Sequence, residues 1–399
     1  MDINTRIIEN AEKFKAEIIR IRRQIHTNPE LGLQEHQTAK LVANKLNDLG
    51  IDVAEGIGET GVVGLLKGER DSTNPSKTVM LRADMDALQM FELNDVPYKS
   101  KNEGVMHACG HDAHTAWLLG AAMVLSELKQ EFSGIVKFVF QPAEEGKGGA
   151  ERMIKDGVLE NPKVDAVFGA HVWPNLKAGT YSVKTGPIMA APAAFEIKIK
   201  GQGGHASAPH LSVDPILIGC QVYSSLQSIV SRKIDANESV VLSITQFHAG
   251  TANNIIPDEI VMSGTVRSFK KSYETQMPDL MKKLIDAVVT AHGGTYTFDY
   301  KTYYPAVIND KEMTDHVQSS MIDLLGENKV NVLDAPNMAG EDFAFYLEQV
   351  PGSYFMVGNH NEQKGITAMV HNPKFDVDEE ILHTTSAVLA KTAIAYLDK

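Results

Sequence analysis

Cysteine is nearly missing from this chain of 399 residues, with Cys109 and Cys220 the only two. A disulfide framework is therefore excluded, and a reduced, cytoplasmic setting is expected. No apolar stretch is long enough to span a bilayer, since the longest, near Ala116–Leu125, runs to roughly ten residues. The opening MDINTRIIENAEKFK is charged and helical and lacks an apolar core, so no secretory leader is expected. Positive charge is also short: 38 Lys and Arg face 51 Asp and Glu, for a formal net charge of −13. That balance argues against nucleic acid or an anionic membrane surface as the main partner. Internal repeats and low-complexity segments are lacking too. What remains is a long, ordinary globular composition, enough for two or three domains with large cores.

The densest chemistry lies in Met106–Ala116, MHACGHDAHTA, with three histidines, one cysteine and one aspartate in eleven residues. Cys109 and His111 alternate, so in an extended segment they point the same way, and thiolate beside imidazole suits a divalent transition metal. The competing reading is a polar loop around a core cysteine. The text turns apolar from Thr115, which places the pair on a loop just before a buried helix.

Around this stretch the chain alternates helix and strand. Apolar residues Ile7, Ile8, Ala11, Phe14, Ile18, Ile21 and Ile25 have a helical period, closed by Asn28-Pro29. A second helix is expected over Gln37–Leu49. Strands are expected at Thr60–Leu66, Thr78–Leu81, Gly134–Phe140 and Val164–Ala170, with a turn-rich exposed segment from Gly68 to Lys77. Three strands then lead into Asp84 and Asp86, Glu144-Glu145, and His171. The order predicts an α/β domain with a mostly parallel sheet and helices on both faces, whose chemistry gathers at the C-terminal strand ends. Between residues 187 and 297 the pattern changes to βαββαβ, a ferredoxin-like plan. The expected domains are thus 1–186 with 298–399, and the insert 187–297. Cys220, in a helix of the insert, reads as core packing.

Cys109, His111, Glu145, His171 and the distant His371 make five candidate ligands. Five suit two ions sharing one bridge, each left with open positions for water and substrate. Glu144, beside Glu145, is the candidate general base. A solvated acidic loop is the alternative for this pair, but Gln-Pro before it and glycines after it, at the end of an apolar strand, favour two distinct roles.

HTNPELGLQE, LRADMDAL, MHACGHDAHTA, QPAEEG, HVWP, NNIIPD, AGEDF and HNPKFD together resemble the M20 family of metallo-amidohydrolases, in order and over nearly the whole chain. The match is to the branch with hippurate hydrolase, indole-acetyl-amino-acid hydrolases and N-acyl-amino-acid amidohydrolases. The resemblance implies a zinc-exopeptidase-like catalytic domain with a lid and dimerisation insert, and two divalent ions, manganese or zinc, with cobalt or nickel as further options. It implies that Cys109 bridges where sister branches use aspartate, that Glu145 and His371 complete one ion, and that His111 and His171 complete the other. Asp86 would orient a ligand. Asp84 stands where sister branches carry a metal-binding histidine, and its role as ligand is in doubt. His205 would reach a partner subunit's site and stabilise the oxyanion. Asn254 and Arg267 would hold a substrate carboxylate. A surface histidine and an exposed strand arginine are the alternatives for His205 and Arg267. The implied reaction is hydrolysis of N-acyl-amino acids by a homodimer. A dipeptidase, an N-acetyl-diaminopimelate deacetylase and a non-catalytic metal-binding protein are the rival readings.

Overall fold

The computed structural model describes residues 2–71 and 76–398. The expected turn-rich segment Gly68–Lys77 therefore lies partly outside the described residues. By its internal packing the chain forms two units, one of Met1–Ile188, Ile308–Ala335 and Asp342–Lys399, the other of Met189–Val307 and Pro336–Glu341. The second unit thus takes in residues beyond 297, because its last strand runs on to Thr302.

The first unit is built on α1 (Ile3–Thr27), α2 (His36–Asp48), β1 (Asp52–Ile57), β2 (Gly61–Lys67), β3 (Thr78–Asp84), α3 (His111–Glu127), β4 (Ile135–Gln141), α4 (Gly149–Lys155), β5 (Ala166–Lys177) and β6 (Tyr181–Val183). It resumes, after the second unit, with α7 (Lys311–Leu325), β11 (Val330–Val332), β12 (Gly352–His360) and α8 (Glu380–Leu397). Its eight-stranded sheet runs β1-β2-β4-β3-β5-β12-β6-β11. The four inner strands β4, β3, β5 and β12 are mutually parallel, whereas β1, β2 and β6 join antiparallel. The parallel run lies in the middle of the sheet, and the edge strand β11 also pairs parallel with β6. β3 reads TVMLRAD with every residue buried, the pattern such a position demands.

α3 is apolar on all sides and buried from His111 through Leu125. A helix of that kind has no solvent face. Gly120 lets it pack closely, because a Cβ there would collide with Ser386 and Ile18. The expected helix start at Thr115 is four residues late. Gly110 adopts φ +91°, a conformation glycine takes without strain, and the helix begins directly after it at His111.

The second unit comprises β7 (Ala191–Lys200), α5 (Pro215–Arg232), β8 (Val241–Ala249), β9 (Glu259–Ser268), α6 (Tyr273–Ala291) and β10 (Thr295–Thr302). Its antiparallel sheet, order β8-β9-β7-β10, encloses a core of its own with Phe195, Ile197, Ile199, Val222, Leu226, Met281 and Ile285. That is the ferredoxin-like arrangement read from the sequence. Asp214 caps α5 by accepting from the Ile216 and Leu217 amides, as the N-terminal orphans of a helix require. Cys220 departs from expectation: it is exposed, because the buried stripe of α5 runs through Ile218, Gly219, Val222, Leu226 and Ile229. Among the described residues no helix is long and apolar enough to cross a membrane.

Candidate metal centre

Three of the first unit's inner strands deliver the site. β3 ends in Asp84, with Asp86 two residues on; β4 leads into Glu144 and Glu145; β5 carries His171. His171 lies within its strand rather than at the end, since β5 continues to Lys177 through a register shift opposite Gly358 and His360. Cys109 precedes Gly110, and His111 is the first helical residue. The pair is therefore not extended. It turns through a left-handed glycine and still converges.

Cys109 Sγ lies 3.5 Å from His171 Nε2. Cys109, His111 and His171 present donor atoms within 4.8 Å of one another, and Cys109, Glu145 and His371 form a second group by the same measure. His111, Glu144 and Glu145 form a third. The five expected ligands and Glu144 thus share one locus, with the thiol common to two groups. A further group, Asp84 with His111 and His114, has its carboxylate already engaged. Asp84 accepts from His114 Nδ1 at 2.6 Å and from Arg82 Nη1 at 2.7 Å.

Asp86 fixes much of this arrangement. It accepts from His111 Nδ1 at 3.2 Å and from the backbone amides of Glu144 and Glu145, both at 3.0 Å. His171 donates Nδ1–H to its neighbour's carbonyl, Val172 O, at 2.6 Å. The other nitrogen of His171, Nε2, faces the thiol, and that of His111 lies 3.9 Å from Asp84 Oδ2. Orienting partners of this kind set the tautomer of a metal-binding histidine. His114 takes the Val172 amide proton on Nε2 at 3.1 Å, which leaves its own proton on Nδ1 for Asp84. It supports the site without facing it.

A cation fits this donor set. His111 Nε2 is buried and has no hydrogen-bond partner among the described residues, which is rare for such an atom. The electrostatics point the same way. Burial alone would depress the His111 imidazole, but Asp84 and Asp86 outweigh it and hold it up at about 10. Burial pushes the Cys109 thiol up, and the carboxylates of Glu145, Glu144 and Asp84 push it further. Burial lowers His171 to about 4. Carboxylates crowd a thiol and an imidazole into a field that positive charge relieves.

Glu35, which the sequence did not single out, and Asp342 hold the acidic turn in place. Ala143, just before Glu144, adopts φ +54°, a strain of about 1–3 kcal/mol tolerated where surroundings over-determine it. Buried Glu35 supplies that constraint: it accepts from the Ala143 amide at 2.8 Å and from Thr60 Oγ1 at 2.5 Å. Asp342 is gripped by Arg82 Nη2 at 2.9 Å and by Gln141 Nε2 at 2.7 Å, and its amide approaches Glu144 Oε1 at 3.4 Å. Glu35 and Asp342 sit inside quoted motifs, but nothing in their spacing declares a partner a hundred or two hundred residues away.

The sequence profile of Peptidase family M20/M25/M40 matches residues 80–395. The chain belongs to this family. Thermostable carboxypeptidase 2 of Saccharolobus solfataricus is 42% identical over 403 residues, covering 100% of both chains. Hippurate hydrolase of Campylobacter jejuni is 40% identical, over 96% of this chain and 97% of its own. A crystal structure of a dinuclear metal binding peptidase of the M20 family from Bacillus subtilis superposes with a TM-score of 0.83 at 36% identity, over 97% of this chain and 99% of that one.

The remaining M20 expectations fall in the second unit. His205 is exposed and pairs through the short ladder His205–Ile255, its Nδ1 accepting from Ser207 Oγ at 2.8 Å. Asn254 reaches the same ladder, its carbonyl accepting from the Ala206 amide at 3.1 Å. Arg267, on β9 opposite Pro192 and Val241, is half-buried rather than exposed. Burial lowers its guanidinium from the usual value, with the Tyr304 and Tyr303 hydroxyls opposing.

The two thiols separate cleanly by exposure. One thiol per chain is expected to react promptly with an aromatic disulfide reagent in the native protein, and Cys220→Ser should abolish that reaction. A second thiol reacting at the same rate would place Cys109 in solvent, contrary to its burial.

Proposed function

We propose that this chain hydrolyses the amide bond of N-acyl-amino acids, releasing a carboxylate and a free amino acid, at a pair of divalent cations. Cys109 would serve both ions, with Glu145 and His371 the further residues that would hold one and His111 and His171 those that would hold the other. The observation that carries the reading is the thiol shared between two donor groups, with Glu144 at their edge and not required by either.

When bound, the cations supply Lewis acidity to water and to the scissile carbonyl. Glu144 takes the proton of the attacking water as its oxygen joins the carbonyl carbon. It returns that proton to the amide nitrogen as the carbon–nitrogen bond breaks. Asp86 holds the Glu144 and Glu145 backbone and the His111 ring in register. Arg267 and Asn254 are assigned to the substrate's free carboxylate, for which the guanidinium fork is suited. His205 is assigned to the tetrahedral oxyanion in a partner subunit's site, which makes a homodimer through the second unit part of the proposal. The thiolate favours manganese, zinc, cobalt or nickel over magnesium and calcium. Such a free thiol chemistry suits the cytoplasm.

A peptidase reading keeps the same chemistry with a different acyl part, and the full-length similarity to a protein named a carboxypeptidase favours it. One experiment separates these. Metal content per chain is measured beside hydrolysis of acetyl-, benzoyl- and indole-acetyl-amino acids and of dipeptides. Two ions per chain with turnover of the acyl-amino acids is expected. Preference for dipeptides would replace the substrate class, and two ions without any turnover would leave a metal-binding protein.

A further inference from the structure

Among the proposed ligands, His371 has the weakest local support. Its side chain is half exposed, and its backbone sits at φ +61°, left-handed for a residue with a Cβ. No strand or helix contains it. A residue so placed stays put only where its surroundings hold the segment. Its amide donates to Ala108 O at 2.7 Å, which seats the segment beside Cys109. The rest of the support comes from an unexpected quarter, the far end of α1.

Arg22 is completely buried. Its Nε donates to Asp112 Oδ2 at 2.7 Å, and its Nη2 donates to Asp376 Oδ1 at 2.7 Å. Asp112 follows His111 in the first turn of α3, and Asp376 lies five residues beyond His371. One rigid guanidinium therefore spans the two segments that carry Cys109, His111 and His371. The Tyr98 ring lies against its face at 4.9 Å, while Tyr98 Oη donates to Asp376 Oδ2 at 2.8 Å. His26, one turn along α1, lies 2.7 Å from Asp112 Oδ2 through Nδ1 and 3.2 Å from Glu92 Oε1 through Nε2. The loop after Glu92 then grips the His371 segment directly: the Leu93 amide donates to Pro373 O and Asn94 Nδ2 to Phe375 O, each at 2.8 Å. None of these side chains belongs to a donor group, yet together they fix the segment of its most loosely held member.

We propose that Arg22 is a positioning residue for the metal centre, a clamp that sets the His371 segment against the Cys109–His111 segment and so governs retention of the ion assigned to Glu145 and His371. The inference rests on the two-metal reading above. Arginine is required because its planar fork serves two carboxylates at once, which the single ammonium of lysine does not reproduce. Asp376 is the arm that can be cut with least disturbance, since it is only partly buried.

The test uses zinc-loaded protein. Wild type, Arg22→Lys, Asp376→Asn and a core control of comparable stability loss, Leu46→Ala, are dialysed against a mild chelator and their zinc content measured. Thermal melting verifies that each is folded. Wild type and the control are expected to keep two ions per chain, and the two clamp variants one. Zinc titration should show the second ion bound roughly 10–100-fold more weakly in the variants, the range for partners that orient a ligand. Turnover should recover toward wild type as free zinc is raised, a rescue that general destabilisation does not give. Should Arg22→Lys fail to fold, Asp376→Asn decides alone. Two ions held at wild-type strength in Asp376→Asn would overturn the clamp and leave the two-metal reading standing. A wild-type chain that never holds two ions would overturn the two-metal reading itself.

Discussion

In Glu144→Gln, kcat for the best acyl-amino acid substrate falls by roughly a hundred- to ten-thousand-fold, the range expected for losing a general acid–base group. Melting temperature and metal content stay at wild-type values, and KM changes little. The substitution is nearly isosteric. The introduced carboxamide would keep an oxygen for the Asp342 amide, and the backbone N–H at this position still donates to Asp86. Only the capacity to accept and return a proton is removed, so the loss belongs to the chemical step. Steady-state kinetics beside elemental analysis reads both quantities. Unimpaired turnover would end the assignment of Glu144, and loss of metal in the same variant would recast it as a ligand.

The second large effect is expected at Cys109. Because its sulfur belongs to both donor groups, Cys109→Ala would, on the proposed two-ion reading, remove a ligand from both ions at once. Activity should drop by more than the ~10–100-fold that outer-shell partners cost, and bound metal should fall below one ion per chain after dialysis. Cys109→Asp restores an anionic bridging group of the kind the sister branches carry. It should recover metal content and part of the turnover, with preference shifted toward harder ions such as manganese. An alanine variant that keeps two ions would show that the thiol is a bystander.

Much of this was legible in the residues themselves. β3 and β4 declare their burial by short apolar runs, Val79–Leu81 and Phe138–Phe140, and the alternation of FEIKIK announces a strand with one face covered, as Phe195, Ile197 and Ile199 are. The chemical residues were readable because they cluster in short motifs at strand ends. What stayed hidden is pairing across long separations. Arg22 reads as one more charge on an amphipathic helix, and only the fold brings it to Asp112, ninety positions later, and to Asp376. Glu35 reads as a polar loop residue, yet it holds Ala143 in a left-handed turn. The early start of α3 was hidden for a local reason. A histidine and an aspartate look like loop residues until the left-handed Gly110 is known to have turned the chain, after which Asp112 sits favourably near a helix N-terminus.

The position of β12 has a consequence for biosynthesis. This strand, Gly352–His360, lies between β5 and β6, which leave the ribosome roughly 170 residues earlier at the usual N-to-C order of synthesis. Until it emerges, the growing sheet holds an open slot at its middle with two unsatisfied edges. The compact second unit, whose strands are all neighbours in sequence, can form first. A nascent chain stopped short of residue 352 would therefore carry a folded insert on an unclosed, aggregation-prone scaffold, and prematurely terminated products should be cleared rather than accumulate as partial enzymes.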